Sequence, residues 1–161
     1  MDHLWSPWRM PYLENHEREE GCVFCKVQAQ TDDLENLVIF RGEQSFVILN
    51  RYPYTSGHLL VVSGTHKSTF EDLEAKTRAE MMELTTQCIR VLRQIYCPEA
   101  FNIGANIGEA AGAGIAGHVH IHIVPRWAGD TSFMSTLAGT RVLPEALGET
   151  YHRIRDGWIK S

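Results

Sequence analysis

The segment His118-Val-His120-Ile-His122-Ile-Val-Pro-Arg126 constrains this chain more than any other. Histidine alternates with Val119, Ile121 and Ile123, the period of a strand buried on one face. The three imidazoles then project from one side of a sheet, and the β-branched residues between them enter the core. Side chains two apart on a strand stand roughly 7 Å from each other, and the outer pair roughly 13 Å. Zinc–nitrogen bonds are only about 2 Å long, so at most two neighbours can share an ion. The row therefore suits separate tasks: a nucleophile, a phosphate-binding ring and an anchor.

The rest of the chain supplies a core for that strand. Its 161 residues, 43% apolar and 22% charged, are those of one soluble globular domain. The net charge of −5 argues against a general nucleic-acid binder but leaves room for a locally positive pocket. No apolar run approaches membrane-spanning length, and the start lacks a basic region followed by an apolar one. A cytoplasmic protein is expected, and the cysteines agree with a reducing compartment. Cys22-Val-Phe-Cys25 has ligand spacing, whereas Cys88 and Cys97 would face opposite sides of a helix. The Cys22/Cys25 pair is half a zinc site, with a redox pair as its rival.

Residues 1–21 form an arm, opening Leu4-Trp5-Ser6-Pro7-Trp8-Arg9, that packs on its own domain or on a second subunit. Leu37–Phe40 and Phe46–Leu49, joined across Arg41-Gly42-Glu43, read as an antiparallel hairpin. His58–Val62 reads as the next strand. Ser68-x-x-Glu71 resembles a capping box opening a short turn. Met81, Leu84, Cys88, Val91, Leu92 and Ile95 recur at three and four, predicting an amphipathic helix from Thr77 to Tyr96. Phe101–Asn106 returns to extended structure. The glycine-rich stretch 104–117, with Gly108 and Gly114, offers backbone N–H groups for phosphate oxygens but no Gly-Lys-Ser/Thr. Trp127 either stacks on adenine or fills a groove. Pro144 precedes a final helix, Glu145 to Ile159.

His118-Val-His120-Ile-His122-Ile-Val meets every position of the histidine triad signature, and the chain resembles that superfamily of nucleotide hydrolases and transferases. The Trp-x-Pro-Trp-Arg opening, Phe133-Met134-Ser135 and Thr140-Arg141-Val142 resemble its diadenosine tetraphosphate phosphorylase and hydrolase branch. The resemblance implies an α+β fold, a mainly antiparallel sheet with helices packed on one face. It implies one domain over 1–161, with a core over 22–127, a carboxyl-terminal extension over 128–161, and a homodimer.

It also implies roles. His120 attacks the α-phosphorus of a dinucleoside polyphosphate, and water or orthophosphate resolves the nucleotidyl-histidine. His122 donates to phosphoryl oxygens, and His58 orients the backbone carbonyl that holds His120. Asn50 holds a ribose, while Asn106, Gly108, Gly114 and Trp127 line the substrate site. Cys22, Cys25, His66 and His118 complete a structural zinc site, and magnesium accompanies the polyphosphate. Three other readings stay open: hydrolysis of nucleoside monophosphate conjugates such as phosphoramidates, zinc-dependent hydrolysis, and nucleotide sensing without turnover.

Overall fold

A computed structural model describes residues 21–130 and 144–160. The predicted amino-terminal arm before Gly21, and the Phe133 and Thr140 segments, lie outside the described residues. Helix α1 (Val23–Ala29) leads into the hairpin β1 (Val38–Arg41) and β2 (Ser45–Leu49), then β3 (Leu59–Ser63). Helix α2 (Ala75–Tyr96) follows, then β4 (Ala100–Gly104), a 3₁₀ turn at Glu109–Ala111, β5 (His120–Arg126) and α3 (Leu147–Ile159). The five strands make one sheet in the order β1-β2-β3-β5-β4, with every neighbour antiparallel. The architecture is α+β, as expected. No helix among the described residues is long and apolar enough to cross a membrane.

The core forms where aliphatic alternation meets the helical stripe. Val119, Ile121 and Ile123 are buried with Val47, Leu59 and Val61 of the neighbouring strands and with Met81, Cys88, Val91 and Leu92 of α2. Cys97 closes α2 in the left-handed conformation (φ 47°), its N–H donating to the Arg93 carbonyl. Helix α3 packs against α2 and β1, where Tyr151 donates its hydroxyl to the Val38 carbonyl at 3.2 Å and Arg155 donates to the Ile39 carbonyl. Both long helices thus serve one face of the sheet.

Strands β1 to β3 differ from the sequence reading by one residue at one or both ends, β4 ends at Gly104 rather than Asn106, and three further boundaries differ for local reasons. α2 begins at Ala75, two residues earlier than its apolar stripe, and residues 68–73 contain a single turn closed from Leu73 N–H to the Phe70 carbonyl. α3 begins at Leu147 rather than Glu145. Glu145 is instead held as an acceptor by the Tyr96 and Thr150 hydroxyls, which keeps it outside the helix. β5 begins at His120, because the β3 partner ends at Ser63 and Val119 N–H turns to the Lys67 carbonyl.

Glu80 of α2 ties the hairpin to the helical layer. Its carboxylate accepts from the Glu43 and Gln44 amides (2.8 and 2.7 Å) and from the Ser45 hydroxyl (2.6 Å). A Cβ at Gly42 would lie 2.7 Å from that carboxylate and 2.9 Å from the Ser45 carbonyl, so the tight turn requires glycine.

Candidate active site

The row of histidines is legible as a face, but not an open one. His118 is fully buried and His120 is 6% exposed, while His122 is half-buried. The cover is α1, whose Phe24 meets both the His118 and His120 rings. The pattern of a half-buried strand therefore describes a strand buried on both faces at its amino end.

Each imidazole has its ring nitrogens assigned by its neighbours. His120 Nδ1 lies 2.9 Å from the His118 carbonyl, which can only accept, so Nδ1 carries the hydrogen and Nε2 keeps its lone pair. Burial lowers the His120 pKa below the usual imidazole value, against the opposing effect of that carbonyl. The ring is neutral, with the lone pair on Nε2 directed away from its own backbone.

His58 is the second case. The Tyr54 amide donates to His58 Nδ1 at 3.1 Å, so His58 carries its hydrogen on Nε2. That nitrogen lies 2.9 Å from His122 Nδ1 and donates to it. His122 is thereby left with its own hydrogen on Nε2, a donor one step along from His120, the two ring centroids being 4.9 Å apart. Burial, with the neighbouring His120, pushes the His122 pKa down to about 4, so the ring is neutral near pH 7. One imidazole thus presents an acceptor and the next a donor, the pair needed to attack a phosphorus and to hold its oxygens.

His58 reaches this place because Gly57 turns the chain at φ 80°, where a Cβ would also lie 3.1 Å from Leu92. Its position departs from the implied role. It contacts His122 rather than the carbonyl behind His120, because β3 and β5 pair with Leu60 opposite His122. Asn50 directs its amide nitrogen at His58 (3.3 Å to Nδ1) and accepts from the Tyr52 amide through Oδ1 (3.0 Å). It stands one hydrogen bond from the histidines.

The glycine-rich loop leaves the sheet at Gly104, which pairs with His122, and returns at His118, so it borders the site. Asn106 bridges the loop, donating to the Gly112 carbonyl at 3.4 Å. The Ala111, Gly112 and Ala113 amides close the 3₁₀ turn onto Gly108 and Glu109 carbonyls, so those three are committed within the loop. Gly108 (φ 83°) starts that turn and Gly114 is exposed beyond it. Trp127 is not brought to the histidines. It follows β5 at the end away from His120, roughly 16 Å along the strand from His122. There it packs edge-on against Tyr96 at 6.5 Å.

Cys22, Cys25, His66 and His118 come together at the amino end of the histidine row, with one ligand atom from each lying within 4.8 Å of the others. Cys22 Sγ to His118 Nδ1 and Cys25 Sγ to His66 Nδ1 are both 3.3 Å, and Cys25 Sγ to His118 Nδ1 is 3.6 Å. Ligands on a tetrahedral zinc stand roughly 3.5 Å apart, so two thiols and two imidazoles at these separations match the donor set and spacing of that ion. His118 donates Nε2–H to the Ser63 carbonyl at 2.8 Å, which leaves Nδ1 to face the cluster. All four cysteines are free.

Two residues here escaped sequence reasoning. Phe24 carries only the signal of an aromatic residue between two cysteines. Tyr54 sits in an unpatterned loop, yet its amide sets the His58 tautomer and its ring lies parallel to His122 (8°, centroids 6.1 Å).

The HIT domain model matches residues 31–129, which include His58 and the whole triad. A Mycobacterium tuberculosis protein named AP-4-A phosphorylase is 37% identical over 99% of this chain and 86% of its own length. An Arabidopsis thaliana protein, adenylylsulfatase HINT3, is 29% identical over 71% of this chain and 56% of its own. Among solved structures, a zinc-bound histidine triad family protein from Mycobacterium smegmatis superposes with a TM-score of 0.70 at 30% identity, covering 87% of this chain and 94% of that one. On the extent of the family match and the near full-length likeness to its relatives, this chain belongs to the HIT domain family.

Proposed function

We propose that this enzyme cleaves the α-phosphate linkage of a dinucleoside polyphosphate such as diadenosine tetraphosphate, through a nucleotidyl-histidine on His120. The observation carrying this reading is the pairing of a lone pair on His120 Nε2 with a hydrogen on His122 Nε2. Support for the substrate class comes from the M. tuberculosis relative's name and its coverage of this chain.

The phosphoanhydride is protected by its own negative charge, which a neutral imidazole escapes. His120 Nε2 attacks the α-phosphorus, and the bond to the bridging oxygen breaks. His122 Nε2–H donates to the departing polyphosphate oxygen, stabilising charge as it develops. The nucleotidyl group is then bonded to His120, whose Nδ1–H remains on the His118 carbonyl. An oxygen of orthophosphate attacks the phosphorus next, releasing His120 and forming ADP, with ATP already lost. Water in that role gives AMP instead. Magnesium enters with the polyphosphate.

Cys22, Cys25, His66 and His118 would hold a zinc ion with all four ligands from the protein, a structural role that would fasten α1 to the sheet and leave no position for substrate. A zinc-hydrolase mechanism is therefore disfavoured. The thiols suit a reducing, cytoplasmic setting. The chain pairs with a second copy through β4, an edge strand whose Ile103 is 47% exposed, while Tyr151 and Arg155 occupy carbonyls of the opposite edge strand, β1.

A second reading, hydrolysis of an adenylyl conjugate, is favoured by likeness to the Arabidopsis adenylylsulfatase. The deciding experiment incubates pure protein with diadenosine tetraphosphate, Mg²⁺ and orthophosphate. ATP with ADP identifies a phosphorylase, and ATP with AMP a hydrolase. Absence of cleavage, with turnover of adenylyl sulfate or a phosphoramidate, overturns the dinucleotide reading.

A further inference from the structure

Phe24 lies between the two cysteines of Cys22-Val-Phe-Cys25, in the first turn of α1, and is 4% exposed. Its ring meets His118 at 5.4 Å and 77°, and His120 at 5.0 Å and 61°. A single aromatic side chain therefore touches both the metal-cluster imidazole and the imidazole with the free lone pair. The Nδ1–H bond to the His118 carbonyl fixes one atom of His120, but such a bond tolerates a broad range of ring tilts before it weakens. An edge-to-face contact from the Phe24 ring limits that tilt.

α1 has seven residues, too few to hold a helix unaided. It is fastened at both ends. At the amino end stand Cys22 and Cys25 with His66 and His118. At the carboxyl end Arg41 of β1 donates to the Val27, Gln28 and Gln30 carbonyls (3.2, 3.3 and 2.9 Å), itself braced by Asp33 at 2.8 Å. Whatever seats α1 seats Phe24, and Phe24 seats His120.

We infer that Phe24 is a positioning residue for the His120 imidazole, through which the Cys/His cluster and Arg41 align the attacking nitrogen. This rests on His120 being the nucleophile. Misplacing a reacting group by about an ångström costs on the order of a hundredfold in rate.

The test uses the full chain loaded with zinc, carrying Phe24→Leu, or Phe24→Met if the first variant does not fold. Val27→Ala trims apolar volume from the same helix while leaving Phe24, the Cys/His cluster and the Arg41 contacts to backbone carbonyls in place. The expected result for the Phe24 variant is a fall in kcat of about ten- to a hundredfold with little change in KM. Zinc content should stay at wild type. The His120 Nδ1 proton, observed by NMR, should broaden or exchange faster, and Val27→Ala should do neither. An unchanged kcat together with an unchanged Nδ1 signal overturns the inference, as does an equal rate loss in Val27→Ala at equal melting temperature. Full activity in His120→Ala would instead sink the nucleophile assignment, and the Nδ1 signal would still judge the positioning.

Discussion

Replacing His58 by leucine isolates the hydrogen-bond relay from His120, the proposed nucleophile. His58 is fully buried, receives the Tyr54 amide and donates to His122 Nδ1 at 2.9 Å. Leucine keeps an apolar filling and removes both bonds together with the Asn50 amide's contact to Nδ1. His122 then loses the partner that confines its hydrogen to Nε2, and its two neutral tautomers compete. Losing one net hydrogen bond of about 0.5–1.5 kcal/mol sets the lower bound, a rate loss of roughly two- to tenfold. Losing the His122 donor outright sets the upper bound, roughly 10²–10³-fold, as for a deleted oxyanion donor. The leucine variant should fall between these bounds in kcat, with KM changing less, and His122→Ala should approach the upper one. Stability should drop by about 1–3 kcal/mol, since the Tyr54 amide loses its acceptor. Glutamine, whose Nε2 can stand where the imidazole Nε2 stood, should recover part of the rate. Steady-state kinetics on diadenosine tetraphosphate beside thermal melts of each variant supply the numbers. Wild-type kcat in a folded His58→Leu protein, with His122→Ala impaired, would refute the relay.

The zinc proposal predicts about one zinc per chain by elemental analysis, lost from the Cys22→Ser/His66→Ala double variant with a lowered melting temperature; a metal-free, equally stable wild type would contradict it. For Glu80, burial raises the pKa, but the Ser45 hydroxyl and the Glu43, Gln44 and Ser45 amides outweigh it and hold the carboxyl below the usual 4.5. A depressed folded-state value means that its contribution is complete above the usual carboxylate pKa and is lost as pH falls through the lower folded value. Glu80→Gln should cost about 1–3 kcal/mol at neutral pH in denaturant melts, and should flatten that acid-side decline. His122, at about 4, keeps the neutral form required by the relay well below the range of an ordinary imidazole. Its titration should therefore leave kcat level from neutrality through pH 6, and a decline that His122→Gln abolishes there would contradict this.

The parts of the fold set by local rules were legible. Alternation marked β5, the three-and-four spacing marked α2, and the Arg41-Gly42-Glu43 turn marked the hairpin. The four metal-facing residues also came together as the family resemblance implied. What escaped depends on register across strands. Leu60 opposite His122 brings His58 against that ring, from 64 positions away in sequence, and no periodicity encodes that pairing. Nor does alternation reveal that α1 folds over the histidines, since the burial of His118 is contributed partly by Phe24 from another element. Trp127 shows the converse. An aromatic residue next to the triad in sequence is carried away by the rise of the strand itself.

The unlike edges of the sheet carry a consequence for how copies of this chain accumulate. Along β1, carbonyls are engaged by side chains of α3, while β4 presents its outer side without another strand among the described residues. The proposed association through β4 would then be monovalent. Two copies meeting there use the same edge, and the pair they form exposes only two blocked β1 margins. If two copies pair as proposed, their five-stranded sheets would join into one of ten strands, and strand-by-strand growth would lack the open-ended template from which fibres propagate.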